Sequence, residues 1–151
     1  MKTNRSILTY FSATYTTRKI SKEISRIISP THEEYDITCQ SPTETIYCNT
    51  NDLLIVGVPV YAGRVPIQAA NALKLFKGDN TPAIIICTYG NRAYDDALLE
   101  LQDIVEQNGF KTIAAATFIA QHSIFPQIAA GRPDEEDYKL MAQFAKDCNE
   151  L

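Results

Sequence analysis

The sequence predicts an α/β fold, a five-stranded parallel sheet with helices on both faces, and three observations carry that prediction. Apolar, β-branched runs alternate along the chain with segments whose apolar residues recur at helical spacing. The runs around Asp52 to Val58 and Pro82 to Thr88 are apolar without interruption, as in strands covered on both faces. Strand and helix alternate to the end of the chain, the order that crossover connections turn into a parallel sheet. With 151 residues and no repeat, linker or low-complexity stretch, residues 1–151 read as one domain.

Each element has its own signal. Ser6 to Phe11 is apolar and β-branched enough for a buried first strand, and Ile20, Ile24, Ile27 and Ile28 mark a helix over Thr16 to Ile28 that Ser29-Pro30 stops. Glu33 to Cys39 reads as a short second strand, and a polar connection from Gln40 to Asn51 leads to the third, Asp52 to Val58. Pro66 suits the start of a helix carrying Ile67, Ala70, Leu73, Leu75 and Phe76, with Gly78 closing it. Pro82 to Thr88 is the fourth strand. Asp95 to Gln107 follows as a helix with Leu98, Leu101, Ile104 and Val105 on one face and Asn108-Gly109 as its C-cap. Lys111 to Ala120 gives the fifth strand. The last helix starts near Asp134, behind Pro133, with Glu135, Glu136 and Asp137 complementing its dipole and Leu140, Met141, Phe144 and Ala145 turned inward.

The first strand passes into its helix through Tyr10-Phe11-Ser12-Ala13-Thr14-Tyr15-Thr16-Thr17, a hydroxyl cluster without a carboxylate. A helix start presents unpaired N–H groups and partial positive charge, so such a junction can hold a phosphate. It can equally be an ordinary Ser/Thr cap. Rossmann and P-loop readings fail, because the loop has neither glycine nor G-K-[ST]. A ligand loop after the first strand of a unit this size suits the order 2-1-3-4-5. That order brings the loops after strands one, three and four to one edge. The second of these is Pro59-Val60-Tyr61-Ala62-Gly63-Arg64-Val65-Pro66 and the third Thr88-Tyr89-Gly90-Asn91-Arg92-Ala93-Tyr94-Asp95-Asp96. Hydroxyls in one loop, with tyrosines and a glycine in each of the others, suit a ligand with a phosphate at one end and a flat ring at the other, and FMN answers that description.

Composition narrows the remaining classes. A net charge of −4 and no long Lys/Arg cluster argue against a nucleic-acid partner. The polar start Met1 to Arg5 and the shortness of every apolar run predict a cytoplasmic protein without membrane insertion. Cys39, Cys48, Cys87 and Cys148 are scattered with no C-x-x-C pair, so no metal or iron–sulfur site is expected and the thiols read as reduced and mostly packed.

On these motifs the chain resembles flavodoxin-like FMN proteins, and in particular the flavodoxin-type N-terminal part of bacterial proteins fused to a ferredoxin-type iron–sulfur segment. The resemblance runs from the hydroxyl loop through V-P-V-Y-A-G-R-V-P and T-Y-G-N-R-A-Y-D-D-A to A-A-G-R-P-D-E-E-D. It implies a flavodoxin-like three-layer sandwich binding FMN. The family's phosphate loop falls on Ser12, Ala13, Thr14, Tyr15, Thr16 and Thr17, with Tyr15 where a small residue is usual, so that its ring must point away or cover the site. Pro59, Val60, Tyr61 and Ala62 would flank the ring, Tyr61 as an aromatic over one face and Tyr94 over the other, beside Asp95. Gly63 falls where a backbone peptide can turn over toward reduced flavin. Thr88, Tyr89, Gly90 and Asn91 would line the pyrimidine side.

Arg64, Asn91 and Arg92 stand in the loops where acidic groups are common in flavodoxins, which predicts a flavin easier to reduce fully. His122 is read as a structural loop residue in preference to a proton-handling group. The expected function is electron transfer with a redox partner protein or a small electron acceptor. The alternative is an FMN-dependent NAD(P)H oxidoreductase acting on a quinone or other small acceptor. No catalytic residue is assigned. A receiver-like domain is excluded, because Thr9-Tyr10-Phe11 and Val58-Pro59 supply none of the acidic residues it requires. A binding module that has lost FMN is the remaining non-redox reading, and the oligomeric state is left open.

Overall fold

A computed structural model describes residues 1–90, 96–122, 125 and 127–151. The elements run β1 (Arg5–Tyr10), α1 (Thr16–Ile28), β2 (Glu33–Asp36), β3 (Ile46–Tyr47), β4 (Asp52–Pro59), α2 (Ile67–Leu73), β5 (Phe76–Lys77), β6 (Thr81–Tyr89), α3 (Ala97–Gln107), β7 (Phe110–Ile119) and α4 (Glu135–Asn149). Five strands form one parallel sheet in the order β2-β1-β4-β6-β7. Counting only those five along the chain, this is the expected 2-1-3-4-5.

The period-two alternation of the strands separates two apolar layers. On one face Ile7, Leu54, Val56, Ala83, Ile85 and Cys87 pack with Ala69 and Leu73 of α2 and Leu101 and Val105 of α3. On the other, Leu8, Leu53, Ile55, Ile84 and Ile86 pack with Ile20 and Ile24 of α1 and Met141, Ala145 and Cys148 of α4. β4 and β6 are buried along most of their length, as central strands between two helical layers must be. Cys48, Cys87 and Cys148 are buried while Cys39 is exposed. Burial pushes the Cys87 thiol up to about 12, so it stays protonated in the core.

The structure departs from the sequence reading in several places. The second strand ends at Asp36, before Cys39. The helix after Pro66 ends at Leu73, leaving Leu75 beyond it, and Phe76 begins β5, which pairs in a small parallel sheet with β3, a strand within what reads as polar connection. Phe76 is buried there, edge-on to Tyr35. Strands this short offer no periodicity to detect. Ile67 and Leu140 are exposed. In α4 the inward stripe is Met141, Ala145 and Cys148, spaced by four and three, and Leu140 lies about 100° around the helix from Met141.

Candidate functional site at the carboxyl edge of the sheet

The strands β1, β4, β6 and β7 end at the same edge, and a cleft of about 370 Å³ opens there between their loops. At the β1 end the chain turns through Ser12 into α1. The Ser12 amide donates to Thr38 Oγ1 (2.9 Å) and its hydroxyl accepts from the Arg18 amide (3.0 Å), so Ser12 braces the turn from behind and does not line the cleft. Ala13, Thr14, Thr16 and Thr17 line it instead. The Thr17 hydroxyl shares a buried hydrogen bond of 2.7 Å with that of Thr88, tying the loop to the end of β6.

Tyr15 has φ 65°, in the left-handed region where L-residues are costly. The residue is 68% exposed and its ring lies beside Arg18, with the guanidinium 5.9 Å from the ring centroid. Tyr15 is not among the cleft-lining residues and borders an adjoining recess instead. Among the described residues, no acceptor meets the amides of Thr14, Tyr15, Thr16 and Thr17, while the Lys19 amide begins the helical bonding to the Tyr15 carbonyl at 2.9 Å. Unpaired donors at a helix start, with hydroxyls beside them, can accept an anion.

The β4 end supplies Pro59, Val60, Tyr61 and Ala62. The Val60 amide donates to the Thr88 carbonyl (2.9 Å), holding this loop to β6. Tyr61 packs edge-on against Phe11, centroids 6.0 Å apart, and partial burial raises its phenol pKa. Tyr61 and Arg64 exchange two backbone hydrogen bonds of 2.9 Å around Ala62 (φ 49°) and Gly63 (φ 76°). This is a tight hairpin turn that needs two left-handed residues, which explains the glycine. Gly63 itself lies outside the cleft lining.

Thr88, Tyr89 and Gly90 line the cleft from β6. A Cβ at Gly90 would lie 2.6 Å from His122 Cδ2, so only glycine allows the loops after β6 and β7 to close on each other. Asn91, Arg92, Tyr94 and Asp95 lie outside the described residues.

The sequence reading underrated the fourth loop: Ala120, Gln121 and His122 also line the cleft. The available signal was topological, since every strand of a parallel sheet delivers its following loop to the same edge. The Ala120 amide donates to the Tyr89 carbonyl (2.8 Å), and the Phe125 amide donates to His122 Nδ1 (3.0 Å). A neutral imidazole accepting at Nδ1 carries its proton on Nε2.

None of the described lining residues is a carboxylate, lysine or arginine. The Arg64 guanidinium is paired with the Glu100 carboxylate and stands outside the cleft lining, so its charge is offset. A recess of about 330 Å³ adjoins the first loop, sharing Thr14, Thr16 and Gln121 with the cleft and bordered by Tyr15, Lys19 and Arg132. Arg132 is bound through two nitrogens to Asp137, holding that carboxyl below the usual range. Asp134 and Asp137 complete a capping box at the start of α4.

The cleft thus combines uncharged donors at one end with an aromatic and apolar wall at the other, in a volume within the range of small-molecule sites, roughly 300–1,000 Å³. No described helix is long and apolar enough to cross a membrane, and the described residues form no metal-holding cluster.

No family model matches the chain, and no curated protein matches it by sequence. Solved structures match its fold. The solution structure of two-electron reduced Megasphaera elsdenii flavodoxin shares 13% identity at a TM-score of 0.55, covering 93% of this chain and 98% of that one. Rubredoxin oxygen:oxidoreductase from Desulfovibrio gigas gives 0.67 and 16% identity, with 98% of this chain corresponding to 36% of that one. A flavoprotein in complex with FMN from Lactobacillus acidophilus NCFM gives 0.55 and 15%, covering 75% of this chain and 92% of that one. The architecture is the flavodoxin-like fold.

Proposed function

We propose that the chain binds FMN in the cleft at the carboxyl edge of its sheet and serves as an electron carrier to a redox partner protein or a small acceptor. The observation that carries this reading is the meeting, in one cleft, of Thr14, Thr16 and Thr17, whose amides have no protein acceptor among the described residues, with the Tyr61 wall across the sheet edge. The amides and the hydroxyls of Thr14 and Thr16 would hold the phosphate, with the helix dipole replacing a cationic side chain. Pro59, Val60, Tyr61 and Ala62 would border the ring on one side, with Thr88, Tyr89, Gly90 and His122 on another; Asn91, Tyr94 and Asp95 complete the proposed set. Bound FMN would supply the redox chemistry, and the protein its position and surroundings. Solved structures of the same fold include one in complex with FMN, which supports the cofactor assignment. The likeness of the sequence motifs to the N-terminal part of iron–sulfur fusion proteins makes an iron–sulfur protein the first partner to try.

Titration of FMN fluorescence with apoprotein tests the reading. FMN is expected to bind and riboflavin, lacking the phosphate, to bind at least ~100-fold more weakly, the loss of about 2.7 kcal/mol of phosphate contacts. Equal affinity for the two would remove the phosphate site, and no affinity for either would remove the function. Steady turnover with NAD(P)H and a quinone would replace the carrier by an oxidoreductase.

A further inference from the structure

We propose that Glu100 is a positioning residue for the ring-side wall of the cleft, holding the Tyr61–Arg64 hairpin to α3 by a two-point clamp. One carboxylate oxygen accepts the Val65 amide at 2.7 Å and the other takes the Arg64 guanidinium. Glu100 stands in the first turn of α3, where the helix dipole favours its charge. The hairpin needs such a support. Tyr61 and Ala62 line the cleft on one side and an outer groove of about 680 Å³ on the other, so this wall has open space on both faces. Ala62 is also held in the left-handed region, which persists only where surrounding contacts dictate it. The contacts that do so are the paired Tyr61–Arg64 backbone bonds and, directly after them, the Glu100 clamp.

The consequence for bound FMN rests on the proposed function; the clamp on the wall does not, and the experiment separates the two. Amide hydrogen exchange is measured on the apoprotein, and midpoint potentials on the FMN-loaded protein, for Glu100→Ala and Glu100→Gln. In Glu100→Ala the Arg64 and Val65 amides are expected to exchange at least tenfold faster. The ratio of affinities for oxidised and reduced FMN should change about tenfold, ~59 mV for a one-electron couple. Glu100→Gln loses the charge but keeps an oxygen for the Val65 amide, so it should retain that protection and less than half of the potential shift.

Unchanged exchange in Glu100→Ala would overturn the clamp. Equal potential shifts in both variants would make the effect one of charge and overturn positioning, and faster exchange with unaltered FMN affinity and potentials would do the same. If the wild-type protein takes up no FMN, the proposed function falls and the exchange measurement alone decides the clamp.

Discussion

The loop after β1, proposed to hold the phosphate, and the hairpin after β4, proposed to border the ring, face each other across one cleft, and each contains a non-glycine residue in the left-handed region, Tyr15 at φ 65° and Ala62 at φ 49°. They are supported differently. The phosphate-side loop is anchored inward, by the Ser12 bonds to Thr38 and Arg18 and by the buried Thr17–Thr88 hydroxyl pair. The hairpin is anchored outward, by an ion pair whose arginine is 70% exposed. An arginine–carboxylate pair also stands behind the phosphate side, where the Arg132 carbonyl accepts the Gln121 amide, but there the Asp137 side chain is only 3% exposed. A phosphate has a fixed shape and rewards a rigid cradle of donors; a flat ring is held by surfaces whose spacing sets its environment. On the proposed function, rigid backbone would serve the first end and an adjustable wall the second.

Placing a carboxylate among the donors should have the largest effect. Thr14 is exposed and borders both the cleft and the adjoining recess, so Thr14→Asp should fold normally. Like charges ~6 Å apart at an effective dielectric of ~20 repel by roughly 3 kcal/mol, about a hundredfold in affinity. An FMN titration should record that loss while riboflavin is unaffected. A loss below fivefold would put the phosphate elsewhere and dissolve the division between the two ends.

The inward-anchored end was the more legible of the two in the sequence. The helix start at Thr16 and the capping acids at Asp134 and Asp137 follow from local chemistry that acts within a few residues, and the strand order from the size of the unit and the place of its first loop. The gathering of Thr14, Tyr61 and Thr88 at one edge follows from a parallel sheet alone. What escaped depends on long-range partners. Ser12 is turned backward by Thr38, Arg64 is captured by Glu100 thirty-six residues later, and Phe76 is drawn from a helical pattern into a strand against Ile46. His122 escaped because a lone histidine in a loop carries no pattern. Its place is fixed by the closeness of the Gly90 backbone and by the Phe125 amide.

The Arg132–Asp137 pair behind the first loop, whose carboxylate is buried, should give the next effect. Arg132 holds the Asp137 carboxyl below its ordinary range. The pair therefore contributes fully above the unfolded-state value of about 3.9, and that contribution is lost as pH falls through the lower folded value. Asp137→Asn also weakens the capping box, and should cost roughly 1–3 kcal/mol at neutral pH. Urea titrations across pH should find the difference from wild type shrinking below about pH 4. A difference that stays constant into strong acid would show that the ion pair contributes nothing beyond the cap.

The smallest effect separates the two left-handed residues. Tyr15→Gly removes a backbone penalty of roughly 1–2 kcal/mol. It also gives up the Arg18 contact, about 0.5 kcal/mol at an exposed site, and incurs glycine's extra conformational entropy. A gain of about 0.5 kcal/mol, or ~1–2 °C in Tm, is the expected balance. The Tyr15 side chain lies outside the cleft lining, so FMN affinity should not change. Ala62→Gly relieves a similar penalty but puts two glycines in a wall open on both faces, loosening the surface that the ring meets. There the gain in stability should be accompanied by about threefold weaker FMN binding, ~0.6 kcal/mol of lost preorganisation. If Tyr15→Gly weakens binding more than Ala62→Gly does, the rigid and adjustable ends of the cleft have been assigned the wrong way round.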